Sequence, residues 1–314
     1  MSLHDVIPNL REDAIIIASM EEAAVRAWLA QITGRIMYIP LMAIMVSPYM
    51  PIIYPDPERR SIEEWLFTNA CKTSDAIVAQ TSRCAEDLVS SYGISAERIR
   101  VIPSPVNCAE VREKASESCP QEIIDMKGKT IFVHVERFAH QKGHRLLLEA
   151  TVLLRKRDDN FVVLCIGDGE LFQEIKNDIH IRGLEKHVLQ LGRKLNPYPY
   201  IKASRALLLT SDLEGMPIIL LDALSIGTPI ISTDCPTGPR EILEDGKYGI
   251  LLPVGDAQAI ADAMWQMIND DNLVCRLTDL GPQRAARYDL PNIIHEWEQL
   301  FKEIQIDQEK RTSA

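Results

Sequence analysis

What most constrains this chain is an alternation that runs along most of its length. Short apolar runs are followed by amphipathic stretches, and then by further apolar runs. DAIIIAS (13–19) reads as a buried strand and EEAAVRAWLAQIT (21–33) as a helix ended by Gly34. A strand is expected from Ile36 to Val46, a helix over 61–73, and a strand at DAIVAQT (75–81). Ser82 is placed to cap the helix RCAEDLVSSY, Gly93 to close it, and IRVIPSPV (99–106) is a fourth strand. The polar stretch 107–129 has weak periodicity and reads as a linker.

The alternation then restarts. Strands are expected at TIFVHV (130–135), FVVLCIG (161–167), HVLQLG (187–192), ALLLT (206–210), PIISTD (229–234) and GILLPV (249–254). Helices are expected at 144–157, 171–183, 197–204 and 217–227, with a last one capped by Asp256. Strands separated by helices form βαβ units, which build a parallel sheet covered on both faces. The fold class is therefore α/β, with two Rossmann-like domains divided at the linker. Their expected spans are 1–126 and 127–290, with residues 291–314 as a separate C-terminal helix. Ligands of such sheets sit beyond the carboxyl ends of the strands.

Charge and cysteine content exclude several classes. Lys+Arg 34 against Asp+Glu 45 gives a net charge of −11 and no basic run, so no nucleic-acid partner is expected. The 7 cysteines are widely spaced with no C-x-x-C, which fits a reducing, cytoplasmic setting better than a disulfide scaffold or a zinc ribbon. The N-terminus has no basic segment followed by an apolar core, so no signal peptide is expected. Residues 36–55 carry no charge and four of the ten methionines (37, 42, 45, 50). Pro40, Pro48, Pro51 and Pro55 argue against a spanning helix. A buried strand followed by a proline-rich loop fits this segment. So does an apolar lip against lipid, which would make the protein peripheral to the inner face of a membrane.

Candidate chemistry lies in the second half, where twelve of the 15 glycines follow residue 129. No G-x-G-x-x-G opens a helix after an early strand, so a dinucleotide-binding first domain is not expected. In ERFAHQKG (136–143), Arg137 and Lys142 follow a strand and could neutralise a diphosphate. In DLEGMPIILLDALSIGTP (212–229), Glu214 ends a strand, Gly215 allows a turn, and Pro217 suits the first helical turn. That places exposed backbone donors of a helix N-terminus in the ligand crevice. Asp222 follows Glu214 by eight residues, roughly 12 Å along a helix at 1.5 Å per residue, too far to share one metal. LGRKLNPYPYIKAS (191–204) could supply a nucleobase slot from backbone near Arg193 and Leu195. STDCPTGPREIL (232–243) is a rigid loop at a strand end.

These residues resemble retaining, nucleotide-sugar-dependent glycosyltransferases of family 4, of the type that builds bacterial lipid-linked oligosaccharides and surface polysaccharides. NPYPYIKASRALLLTSDLEGMP with LLDALSIGTPIISTDCPTGPREIL carries the resemblance most specifically. ERFAHQKG departs from it, having Glu136 where the family usually has Gly. IVAQTSRCAEDLVSSYGISAERIRVIPSPVN resembles the closing part of the family's first domain.

The resemblance implies a GT-B fold, two Rossmann-like domains facing a cleft, with the donor held by the second and the acceptor mainly by the first. It implies that Arg137 and Lys142 grip the diphosphate and that Glu214 contacts the donor sugar. Arg193, Leu195, Gly215, Met216, Pro217 and Ile218 would complete the donor site, and Asp222 would take the place of a glutamate that binds ribose. It implies front-face transfer with retention, no required metal, and no cofactor beyond a nucleotide sugar, expected to be UDP-linked. Other family features have no counterpart. Nothing before Asp13 supplies a glycine-rich loop or further strands, and His4 is the only histidine before 134, so the first domain is expected to be incomplete. The C-terminal helix is expected to dock on the first domain through positions 293, 294, 297, 300 and 301. The leading expectation is transfer of a hexose or N-acetylhexosamine to a glycan or lipid-linked acceptor. A nucleotide-sugar-binding relative with impaired catalysis and a nucleotide-sugar epimerase of the same fold are the alternatives.

Overall fold

The computed structural model describes residues 15–33, 37–42 and 46–312. The expectations placed on His4, on the residues before Asp13, and on the side chains of Met37, Met42 and Met45 lie outside what is described. The chain divides into two compact units, Met1–Ser104 with Pro291–Ala314, and Pro105–Leu290. Each carries its own parallel sheet, so the α/β class holds throughout.

The first unit contains β1 (Ile15–Ser19), α1 (Glu21–Thr33), β2 (Met37–Met42), α2 (Val46–Ile53), α3 (Pro57–Thr73), β3 (Ile77–Ala79), α4 (Ser82–Tyr92) and β4 (Ile99–Val101). Its four described strands lie in sequential order, all parallel. Three sequence expectations change here. The proline-rich segment expected as a loop is the helix α2. Pro48 sits in its first turn, where no amide is needed, and Pro51 gives up one bond in a short element. Helix α3 starts at Pro57 rather than Ser61, because Asp56 caps it by accepting from the Arg59 amide at 2.8 Å. Helix α4 is capped by Thr81 rather than Ser82, through a 3.1 Å bond from the Cys84 amide, while Gly93 closes it at φ 62°. Within α2, Met50 is buried whereas Ile52 is 67% exposed. No helix among the described residues is long and apolar enough to cross a membrane.

The second unit begins at Pro105 and takes in the whole of the segment read as a linker. α5 (Cys108–Lys114) and α6 (Gln121–Ile124) are short helices whose Cys108, Val111 and Ile123 are buried in the unit's core. The unit boundary therefore falls at 104, not 126. There follow β5 (Thr130–Val135), α7 (His144–Arg155), β6 (Phe161–Ile166), α8 (Phe172–Ile181), β7 (Val188–Gly192), α9 (Tyr198–Lys202), β8 (Ala206–Leu209), α10 (Ile218–Ile226), β9 (Ile230–Thr233), α11 (Pro239–Ile242), β10 (Ile250–Leu252), α12 (Ala257–Asn269) and α13 (Asp271–Ala285). The sheet order is β10-β9-β8-β5-β6-β7. From β5 the chain winds outward to β6 and β7, then returns to β5's other side at β8 and winds outward again. β5 and β8 thus flank the switch point, where the connections that follow them part to opposite faces and leave a crevice. One apolar cluster packs α7, α8 and α12 on one face of the sheet, and a second packs α5 and α10 on the other.

The C-terminal helix α14 (Leu290–Thr312) packs within the first unit. Its Ile293, Leu300 and Ile304 are buried with Ala76, Val78 and Ile102, while Trp297 and Phe301 are partly buried beside them. Ile294, expected on the docking face, is 46% exposed.

Candidate active site at the switch point

The loops following β5 and β8 meet at the carboxyl end of the sheet. Gly143, at φ 65°, lies against the backbone of Thr210, and a β-carbon there would stand 1.9 Å from the Thr210 carbonyl oxygen. The Thr210 hydroxyl donates to the carbonyls of Lys142 and Gly143, both at 3.1 Å. The Asp212 amide donates to the Gln141 carbonyl at 2.8 Å. These bonds hold the two loops in one register.

That register brings together residues 72 positions apart in the chain: Lys142 Nζ donates to Glu214 Oε1 at 2.6 Å. Lys142 Nζ also lies 2.7 Å from Glu136 Oε2, so one ammonium stands between two carboxylates. The side chains are 17% exposed for Lys142 and 9% for each glutamate. Ser211, fully buried, donates a second bond to Glu214 Oε1 at 2.6 Å. Burial works against the Lys142 charge, but Glu136 and Glu214 outweigh it and hold the ammonium above the usual lysine value. Burial also pushes the Glu136 carboxyl up to about 7; Lys142 pulls it down and Glu214 pushes it further up.

A third loop braces this corner. The Thr237 hydroxyl donates to the carbonyls of Glu214 and Gly215, and the Gly238 amide donates to Gly215 at 2.8 Å. Thr237 has φ 76°, a conformation that a β-branched residue adopts only under constraint. A β-carbon on Gly238 would stand 2.3 Å from Pro217 Cδ and 2.8 Å from the Gly215 carbonyl oxygen, so no side chain fits between the loops there. Residues 214–217 are thereby fixed ahead of α10, whose N-terminus has no side-chain cap. Free amides at such an end favour an anion.

Two details of the sequence reading change. Glu214 lies five residues beyond the end of β8 and four before the first residue of α10, so the stretch from it to Asp222 is not two helical turns. Asp222 does not join the Lys142 cluster. It is 8% exposed, and burial pushes its carboxyl up to about 7 while a hydrogen bond from the Tyr198 hydroxyl pulls it down. Arg137 is exposed in the loop after β5, and its side chain makes no hydrogen bond or ion pair with the described residues. Arg193 and the 99% exposed Leu195 lie on the loop after the edge strand β7 and are not joined to the other candidates. Met216 is half-buried, Pro217 buried and Ile218 36% exposed at the start of α10.

Sequence reasoning missed Ser211, Thr210 and Thr237 as the residues that orient this site. The signal available was the density of hydroxyls in TSDLEG and CPTG, each on a loop after a strand. It also missed a buried imidazole pair beneath the Thr210 bonds. His134 and His144 meet edge to face at 4.7 Å, and His144 stacks on Phe138 at 4.1 Å. His134 Nε2 reaches the Thr210 hydroxyl at 3.2 Å, whereas both His144 nitrogens are buried without a partner. Among the described residues, no group of three or more His, Cys, Asp or Glu is arranged to hold a metal ion.

Two parallel sheets in separate units, with a cation and a carboxylate joined at the switch point of the second, define an α/β protein of two Rossmann-like domains. The chain belongs to the family of glycosyl transferases group 1, which it matches over residues 119–284; residues 24–110 match glycosyltransferase family 4. It is 28% identical over 261 residues to an uncharacterized glycosyltransferase of Methanocaldococcus jannaschii, covering 74% of this chain and 64% of that protein. It is also 28% identical over 228 residues to the N-acetylgalactosamine-N,N'-diacetylbacillosaminyl-diphospho-undecaprenol 4-alpha-N-acetylgalactosaminyltransferase of Campylobacter jejuni, covering 73% of this chain and 60% of that one. The chain thus spans less than two thirds of the length of these relatives. In fold it is similar to the Anabaena protein HepE, solved in complex with UDP, with a TM-score of 0.82, 17% identity, and coverage of 96% of this chain and 81% of that one.

Proposed function

We propose that the protein is a retaining glycosyltransferase that moves a hexose or N-acetylhexosamine from a UDP-linked donor to a glycan or lipid-linked acceptor. The observation that carries the reading is the Lys142–Glu214 contact beyond β5 and β8, with the unpaired Arg137 on the same loop. In this reading Lys142 and Arg137 receive the diphosphate, the first as a point charge and the second as a fork. The uncapped start of α10 adds amides for the same anion. Glu214, oriented by Ser211 and by the Thr237 clamp on its carbonyl, faces the donor sugar. Asp222, hydrogen-bonded to the Tyr198 hydroxyl, is assigned to the ribose in the same reading. The protein works mainly by stabilising charge on the leaving diphosphate, which takes the acceptor's proton as the new glycosidic bond forms on the same face. No cofactor or metal takes part.

The lipid-linked acceptor rests on the Campylobacter relative, whose name places its own acceptor on diphospho-undecaprenol, and the uridine base on the HepE complex. The test is a panel of UDP-hexoses and UDP-N-acetylhexosamines offered with undecaprenyl-diphosphate-linked saccharides. UDP release together with an α-linked product from an α-linked donor supports the reading. An inverted product overturns retention. Binding of UDP-sugar with no product from any acceptor favours a donor-binding protein over a transferase.

A further inference from the structure

The resemblance leads one to expect glycine at 136, and this chain buries a carboxylate there, 2.7 Å from the lysine that the proposed function assigns to the diphosphate. The consequence is electrostatic. With both glutamates ionised, the cluster of Glu136, Lys142 and Glu214 carries a net charge of −1 in a corner that water hardly reaches. Lys142 has three N–H donors, and two already face carboxylates. An incoming diphosphate would meet a neutralised lysine and an excess carboxylate, which repels it. The arrangement suits an anion only if one carboxylate gives up its charge.

Glu214 accepts from two donors, the Ser211 hydroxyl and Lys142, both on Oε1. Among the described residues Glu136 has no hydroxyl partner of this kind, and its ion pair is with Lys142. The other titratable groups on the elements around it do not take this part. Arg137 is exposed on its own loop, and Asp168, on the loop after β6, accepts from the Gly169 amide. Asp212 lies on the loop after β8 with an exposed side chain. His134 and His144 sit below, held neutral first by burial, and the buried Cys235 thiol is pushed up to about 12 by burial.

We propose that Glu136 couples binding of a nucleoside diphosphate to the uptake of one proton. In the free protein Glu136 neutralises Lys142. When the diphosphate arrives, Glu136 takes a proton from solvent, its ion pair with Nζ is lost, and the phosphate oxygens replace it. The cluster then goes from −1 to 0, and Arg137 adds +1 from the same loop. Donor affinity is thus set by pH near neutrality, and product UDP, which carries the same diphosphate, is released more readily as pH rises. The free carboxyl, pushed up mainly by burial to about 7, is poised for this. This inference rests on the donor-site reading above.

The test is calorimetric titration of the full chain with UDP from pH 6 to pH 8, in two buffers of different ionisation enthalpy. If only protonated Glu136 admits the diphosphate, Kd weakens about tenfold from pH 6 to pH 8. Net uptake approaches one proton at pH 8, after correction for the titration of UDP itself. Glu136→Gln, which keeps an oxygen acceptor for Lys142 without the charge, is expected to bind at pH 8 about tenfold more tightly than wild type and to take up no proton. Glu136→Gly serves the same comparison if the glutamine variant is poorly folded. The inference is overturned if wild type takes up no proton, or if the variants keep its pH profile. If UDP, GDP and ADP all fail to bind wild type at every pH, the donor site falls, and this inference with it. Binding with an unchanged profile in the variants removes Glu136 alone.

Discussion

The backbone of Gly143 touches the carbonyl oxygen of Thr210 so closely that a β-carbon at 143 would lie 1.9 Å from it. The β5 and β8 loops are therefore joined at a point where no side chain fits, one residue after Lys142. Gly143→Ala adds both a clash and a strained positive φ, a cost of at least about 2 kcal/mol. The expected result is a Tm lower by about 4–8 °C together with loss of UDP binding, measured by thermal unfolding and calorimetry. Unchanged binding would show that the junction does not position Lys142.

Thr237 holds the Glu214–Pro217 corner from outside the donor loops. Thr237→Val keeps the shape and removes the donor, leaving the Glu214 carbonyl without that bond, at a cost of about 1–3 kcal/mol. Thr237→Ser keeps the hydroxyl and is expected to stay close to wild type. Steady-state kinetics should show a raised donor KM in the valine variant and near-normal KM in the serine variant.

Arg137 and Lys142 separate binding from stability. Either alanine variant is expected to slow transfer by roughly 100–1000-fold. Arg137→Ala should unfold like wild type, because the side chain is exposed and unpaired. Lys142→Ala strands two buried carboxylates and should cost about 3–5 kcal/mol. Adding Glu136→Gln to it should restore part of that loss. Denaturant unfolding of the single and double variants checks this.

How legible these features were depended on which forces act locally. β5 was read at its true limits because Lys129 and Glu136 bracket an apolar run. Helix α2 was missed because four prolines in a short span normally break helices, yet Pro48 falls in a first turn that needs no amide. The 107–129 stretch looked like a linker because only a few buried residues, among them Cys108, Val111 and Ile123, fix its two short helices. Candidate residues could be named from their loops. That Lys142 meets Glu214 depends on β8 pairing with β5, a long-range choice with no local periodicity. The same holds for Glu136: the sequence displayed an odd residue, and only the fold shows the lysine it faces.

The imidazoles below the site make one contribution to stability that is lost in acid. Burial first, and then the Lys142 charge, lower the His144 value from 6.5 to about 4. The unfolded chain therefore takes up a proton below pH 6.5 that the folded chain refuses, and stability is lost as pH falls. The loss is about 2 kcal/mol between pH 7 and pH 5. Glu136 and Asp222, both raised to about 7, act with the opposite sign: stability present at pH 4 is lost as pH rises toward 7. His144→Phe keeps the stacking on Phe138 and removes two unpartnered nitrogens. It is expected to gain about 1 kcal/mol at pH 7 and more at pH 5, read from unfolding curves at the two pH values.

The central claim is that a nucleotide diphosphate binds where the loops after β5 and β8 meet. A crystal structure of the full chain with UDP at pH 6 tests it most directly. The account predicts the β-phosphate within hydrogen-bond distance of Lys142 Nζ and the Arg137 guanidinium, above the first amides of α10. UDP ordered elsewhere, with Lys142 still held between Glu136 and Glu214, would contradict it.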